Sequence, residues 1–129
     1  MTVAEVFALV RRALDGRVYL AGREELLQQH VAAALRAGGE LDVATEVIDA
    51  GGRFDVVVVT RGAAPVRVVL ELKIRAAVAA VERQAQRYAL SQGVDGVAVV
   101  TTSRRLARQL ADMQMLGGKP FTAIALRSW

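Results

Sequence analysis

Two charges interrupt the apolar run Val68-Val69-Leu70-Glu71-Leu72-Lys73-Ile74 at a period of two. Side chains alternate faces along a strand, so Glu71 and Lys73 point one way while Leu70, Leu72 and Ile74 point the other. A third charge, Asp55, heads the run Phe54-Asp55-Val56-Val57-Val58-Val59, which is otherwise apolar. The segment Arg61-Gly62-Ala63-Ala64-Pro65 joins the two runs and carries a hairpin signal. Antiparallel pairing then brings Asp55, near the start of one strand, close to Glu71, near the end of the next. Burying such charges is costly unless they are paired or coordinate a metal. One reading is a salt-bridged edge, with Glu71 on Lys73 or an arginine and Asp55 capping a turn. The other is a carboxylate site able to hold a cation. The first suffices for any one residue; the three together in this geometry favour the second.

The composition narrows the cation. The 129 residues include no cysteine and one histidine, His30. Thiolate and multi-histidine centres are thereby excluded, as is any Ser-His-Asp triad that does not pass through His30. Carboxylate and carbonyl oxygens remain as ligands, and they suit Mg2+ or Mn2+. Of the 17 basic residues, 15 are arginine, leaving Lys73 and Lys119. Lysine is a compact charge on a flexible stem and can carry a proton, which arginine cannot, so Lys73 two residues after Glu71 is informative. The net charge of +4 and pI of about 10.3 permit a nucleic-acid partner without requiring one. The longest apolar run, Ala76 to Val81, has six residues, far short of the roughly 20 of a membrane span. The N-terminus lacks a basic-then-apolar signal pattern. The expectation is a cytoplasmic protein with no membrane partner.

Periodicity supplies the elements that must position these residues. Thr2 to Leu14 and about Gly22 to Ala37 have helical apolar spacing, ended by Gly16 and by Gly38-Gly39. Leu41 to Ile48 reads as a strand ended by Ala50-Gly51-Gly52, followed by strands Phe54 to Thr60 and Val66 to Ile74. Ala76 to Leu90 reads as a helix and Gly96 to Thr101 as a short buried strand. Ser103 caps a helix expected to run to about Leu116 and to end at Gly117-Gly118, before a last strand, Phe121 to Leu126. The chain, residues 1–129, reads as a single α/β domain with a mixed central sheet flanked by helices.

An acid opening one strand and Glu-x-Lys near the end of the next resembles the core of the PD-(D/E)XK nuclease superfamily. Asp55 matches the first acid and Glu71-Leu72-Lys73 the Glu-x-Lys, with Phe54 where the family's naming proline would stand. The element order from Gly22 to Thr101 also resembles that family's restriction-endonuclease-like αβββαβ core. The N-terminal helix and a C-terminal α-β extension lie outside it. Members often carry a glutamate on the helix before the sheet. Glu24 shares a helical face with Leu27, Gln28, Val31 and Leu35, so it is expected to look inward, whereas Glu25 lies nearer the flank. A solvated first-turn acid is the alternative. Gln84 and Tyr88 resemble the Gln-x-x-x-Tyr motif of the RecB-like branch, although an amphipathic helix with a half-buried tyrosine would give the same pattern.

The resemblance implies a Mg2+- or Mn2+-dependent deoxyribonuclease. Asp55, Glu71 and the Leu72 backbone carbonyl would hold the metal, with Glu24 assisting. Lys73 would sit beside the attacking water and the phosphate, and Gln84 and Tyr88 would position the site or the DNA. Arg53, Arg75, Arg83, Arg87, Arg104, Arg105 and Arg108 are candidates for phosphate contacts, each with a solvated salt-bridged face as the alternative. The expected function is a DNA endonuclease acting as a homodimer, like the Holliday junction resolvases or small phage- and restriction-type enzymes it resembles. A RecB-like single-strand exonuclease and a non-catalytic DNA-binding subunit remain open, as does a basic adaptor with no nucleic-acid role. There is no Gly-Lys-Ser/Thr phosphate loop, so no nucleotide cofactor is expected.

Overall fold

The β-branched runs pair into one six-stranded sheet, and the helical segments cover both of its faces. The computed structural model describes residues 1–19, 22–49 and 52–128. In chain order the elements are α1 (Val3–Leu14), β1 (Val18–Tyr19), α2 (Glu24–Gly38), β2 (Asp42–Asp49), β3 (Gly52–Val59) and β4 (Arg67–Lys73). They continue with α3 (Val78–Ala89), β5 (Gly96–Thr101), α4 (Arg104–Leu110), β6 (Met115–Leu116), β7 (Lys119–Ala125) and β8 (Arg127–Ser128). The main sheet has the order β2-β3-β4-β5-β7-β6. β2, β3 and β4 form an antiparallel meander, β4, β5 and β7 run parallel, and β6 turns back on β7. This is the α/β architecture with a mixed sheet that the periodicity indicates.

Each face of the sheet has its own core. α1 and α2 lay Val6, Val10, Leu27 and Val31 on Val58, Leu70 and Val100. α3 and α4 lay Val81, Ala85, Leu106 and Leu110 on Val57, Val69 and Val99. β5 is buried along its whole length, as expected for a parallel strand covered on both sides. α1 starts at a capping box in which the Thr2 hydroxyl accepts from the Glu5 amide and the Glu5 carboxylate accepts from the Thr2 amide. Among the described residues no helix is long and apolar enough to cross a membrane.

Two sequence expectations need correction. The helix expected to reach Leu116 ends at Leu110, although the Ser103 cap is present, with its hydroxyl accepting from the Leu106 amide at 3.2 Å. The apolar spacing of Leu106, Leu110 and Met113 would suit a longer helix, but the chain leaves it to pair at the sheet edge as β6. Gly117 and Gly118 do not cap a helix. With φ of 58° and 78° they are the turn of the β6–β7 hairpin, and a two-residue turn with both central residues left-handed matches strand twist. The expected strand end at Ala50-Gly51-Gly52 lies partly outside the described residues, since Ala50 and Gly51 fall there and Gly52 belongs to β3. The parallel pair β1–β8, which ties Val18 to Arg127 and Tyr19 to Ser128, has no periodic signature.

The β2–β3 hairpin changes face halfway along. Val43 and Val47 have the same parity, yet Val43 packs on the α1–α2 side and Val47 on the α3–α4 side. Val56 and Phe54 divide in the same way on β3. The switch falls at Glu46 and Asp55, the opposed positions missing from the register between Asp42↔Val59 and Asp49↔Gly52. Among the described residues Glu46 alone combines a side chain with positive φ, at 53°. That left-handed residue turns the hairpin end over toward α3.

The hairpin assignment is testable at Gly118. Gly118→Val should lower stability by about 1–2 kcal/mol, the cost of left-handed backbone for a branched residue. Gly118→Asn should cost less than half of that. Urea denaturation of the two variants measures the difference.

Candidate active site

β3 and β4 pair regularly from Val59↔Arg67 to Val56↔Leu70, and the next two residues are Asp55 and Glu71. In place of a further ladder bond, Asp55 Oδ2 accepts from the Leu72 amide at 3.0 Å. The carboxylate thus sits where the two strands part. Glu71 is 1% exposed; its Oε1 takes the Lys73 ammonium at 3.1 Å. Its Oε2 is buried and, among the described residues, makes no hydrogen bond of ordinary geometry, although the Tyr88 hydroxyl stands close enough to favour the charged carboxylate. Leu72, between them, turns its side chain into the opposite core.

Glu24 is the first residue of α2, and its Oε2 accepts from the Ile74 amide at 3.2 Å. The expectation that it looks inward is corrected, because Glu24 is exposed. As the opening residue it stands beyond the end of the sheet rather than over the core, and from there it reaches the end of β4. Glu25 is exposed as well.

Tyr88 and Gln84 come to the same place from α3. Gln84 Nε2 donates to the Tyr88 hydroxyl at 2.8 Å, and that hydroxyl donates to the Arg53 carbonyl at 2.9 Å. The Tyr88 ring meets Phe54 edge-on, with centroids 4.8 Å apart. Tyr88 therefore fastens the turned-over hairpin to α3 beside Asp55, a role for the Arg53 backbone that the sequence did not reveal.

Electrostatics follow from this packing. Burial pushes the Glu71 carboxyl up to about 7, and the neighbouring Asp55 charge adds to the rise while Lys73 opposes it. Asp55 is also raised, chiefly by burial, although the Leu72 amide and Lys73 favour its charged form. Burial disfavours the charge on Lys73, but Glu71, Glu24 and Asp55 together hold its ammonium above the ordinary value. Tyr88 is lifted to about 12 by burial and by the Glu71 charge, so its hydroxyl keeps its proton.

The arginines divide. Arg53 is paired with Glu46. Arg75 and Arg105 line a cleft of about 450 Å³ between the starts of α3 and α4, next to Ser103. β4 and β5 run parallel and end in register at Lys73↔Thr101, so this cleft lies at the same end of the sheet as the carboxylates. Arg104 and Arg108 are exposed on α4. Arg83 and Arg87 line a separate shallow depression on α3 that also includes Gln84. Apart from Arg53, none of the candidate arginines forms an ion pair within the described residues. Lys119 caps the end of α3 through the Ser91 carbonyl at 3.2 Å, which leaves Lys73 as the lysine of the site.

No group of three or more His, Asp or Glu side chains among the described residues is arranged to hold a metal. Mg2+ does not need one, because it commonly takes one or two carboxylates and keeps several waters. Asp55 and Glu71 supply two, and Glu71 Oε2, without an ordinary hydrogen bond among the described residues, is a buried acceptor of the kind that costs about 1–3 kcal/mol until something satisfies it. The donor set therefore fits a hydrated Mg2+ or Mn2+ ion. No family model matches the chain, and no curated protein or solved structure matches it.

The raised Glu71 carboxyl makes stability depend on pH. Between about 4.5, its value when unfolded, and about 7 the folded state binds more protons than the unfolded state. Stability should therefore be full below 4.5 and fall as pH rises toward 7. The loss should be on the order of 2–3 kcal/mol in metal-free protein, with Asp55 acting in the same direction. Glu71→Gln should remove most of that decline, as read by denaturant unfolding from pH 4.5 to 8.

Proposed function

We propose that the chain is a metal-dependent DNA endonuclease of the PD-(D/E)XK type, hydrolysing phosphodiester bonds as a homodimer in the cytoplasm. The observation that carries this reading is Glu71: a carboxylate held in the core beside Asp55 and Lys73, with one oxygen that accepts no ordinary hydrogen bond among the described residues. The order α2-β2-β3-β4-α3-β5 agrees with a restriction-endonuclease-like core, with α1 ahead of it and α4 to β7 behind. The seven candidate arginines and the net charge of +4 suit a polyanion.

Asp55, Glu71 and the Leu72 carbonyl would hold Mg2+ or Mn2+, with Glu24 at its outer side. Bound there, the ion would lower the pKa of a water and neutralise charge developing on the phosphate. Lys73 has a distinct task. Burial opposes its charge, but Glu71, Glu24 and Asp55 together favour the ammonium form, which suits a fixed positive charge better than a base. It serves as a fixed positive charge for the phosphate and as a proton donor toward the leaving oxygen. Glu71 orients that ammonium through its Oε1, and Asp55 is oriented by the Leu72 amide. Tyr88 stays neutral and sets the position of the β2–β3 hairpin through the Arg53 carbonyl.

A second reading, a RecB-like exonuclease on single-stranded ends, is favoured by the Gln84–Tyr88 hydrogen bond. Cleavage of labelled linear duplex, single strand, flap and four-way junction with Mg2+, Mn2+ or EDTA separates the two. Wild type should cut only with metal, and Glu71→Ala and Lys73→Ala should each lose at least about 100-fold. Lys73→Arg should not restore the rate, because arginine cannot give up its proton. Binding by all four proteins without cutting of any DNA would reduce the reading to a DNA-binding subunit. Independently of activity, Mg2+ should raise the melting temperature of wild type but not of Asp55→Ala.

A further inference from the structure

A second basic cleft lies outside the elements that build the carboxylate site. It has a volume of about 430 Å³ and is lined by Arg11, Arg12, Arg17 and Arg127 around one acid, Asp15. Its walls are the end of α1 and the last residues of β7, with β8 at the lip. Arg11 is fixed in place, since its guanidinium donates to the Thr122 hydroxyl at 2.5 Å and to the Ala123 carbonyl at 3.3 Å. Arg12, Arg17 and Arg127 are exposed and form no ion pair within the described residues. Position in the last turn of a helix accounts for basic residues at 11 and 12 through the helix dipole. It does not account for Arg17, beyond the helix, or for Arg127, which the β1–β8 pairing brings opposite Val18.

The sheet gives the cleft its place relative to the carboxylates. Lys73 pairs with Thr101 and Thr101 with Ala125, all in parallel register. The C-terminal ends of β4 and β7 are therefore two strand spacings apart, roughly 10 Å, at the same end of the sheet. α2 starts at that end beside Ile74, and α1 ends at it beside β7. The cleft opens on the α1–α2 face and the Glu71 and Lys73 side chains on the α3–α4 face, so a duplex that reaches both crosses the ends of these strands.

We propose that this cleft is a second backbone-phosphate site for double-stranded DNA, built jointly by the N-terminal helix and the C-terminal strands. It takes phosphates away from the scissile bond and contributes affinity and register, not chemistry. The inference rests on the nuclease reading and names the form of substrate, a duplex, that this end of the sheet accommodates. Guanidinium groups suit the task because they engage phosphate oxygens in pairs and keep their charge at any working pH.

The test is duplex binding by fluorescence anisotropy over a range of salt, with wild type beside Arg12→Ala/Arg17→Ala/Arg127→Ala. Arg11 is left intact because it braces β7. The slope of log affinity against log salt should become shallower by about 2–3 units, and affinity at moderate salt should fall roughly 10- to 100-fold. The Arg12→Lys/Arg17→Lys/Arg127→Lys protein keeps the charge and should recover most of the slope. It also stands in should the alanine protein lose its melting transition. The cutting rate at saturating duplex should stay within about twofold of wild type. An unchanged slope in the alanine protein overturns this inference and leaves the nuclease reading standing. Failure of wild type to bind duplex at all overturns both. If 10 mM inorganic phosphate shields the cleft as well as duplex does, judged by a melting-temperature rise lost in the alanine protein, the cleft is a free-phosphate site and the duplex assignment falls.

Discussion

The arrangement of the molecule turns on a carboxylate that the fold buries without fully satisfying. Glu71 lies near the end of a strand whose other residues are mostly apolar, and among the described residues only one of its oxygens has an ordinary hydrogen-bond partner. Such a group persists when surrounding structure over-determines it. Here β4 is clamped between β3 and β5, with helices over both faces. The parting of β3 from β4 at Asp55 follows from the same constraint. Two carboxylates at adjacent ladder positions repel, and one of them takes a backbone amide of the opposite strand instead.

Every other feature of the site serves that pair of acids. Lys73 supplies the nearest positive charge, Glu24 binds the backbone just beyond it, and Tyr88 fixes the hairpin that carries Asp55. The contacts of Glu24 and Tyr88 link residues 50 and 35 positions apart in the chain. The centre therefore exists only once α2, the meander and α3 have all docked, and no single segment carries it.

The sheet and its faces were legible in the sequence because alternation and β-branching are local. Glu71 and Lys73 could be placed on one face from their spacing, and Asp55 near them from the hairpin. What was not legible is non-local or runs against propensity. Nothing in Leu106 to Leu116 distinguishes a long helix from a short helix and an edge strand; pairing with β7 decides it. Glu24 has the apolar spacing of an inward residue, but where the helix begins determines that it is exposed. The face switch at Glu46 has no sequence signal, since the residue there is neither glycine nor asparagine. The pairing of β1 with β8 joins two short segments far apart in the sequence that no local pattern connects.

The left-handed residue at Glu46 has an effect on the outside of the molecule too. β2 is an edge strand, and a long straight edge with free amides and carbonyls is a template on which another chain can add. The left-handed turn at Glu46 interrupts that template midway, and the carboxylates of Asp42, Glu46 and Asp49 along it are tied to Arg61, Arg53 and Arg67. The residue that interrupts this outer edge stands opposite Asp55, so one backbone turn shapes both the exposed side of the hairpin and the carboxylate that it carries inward.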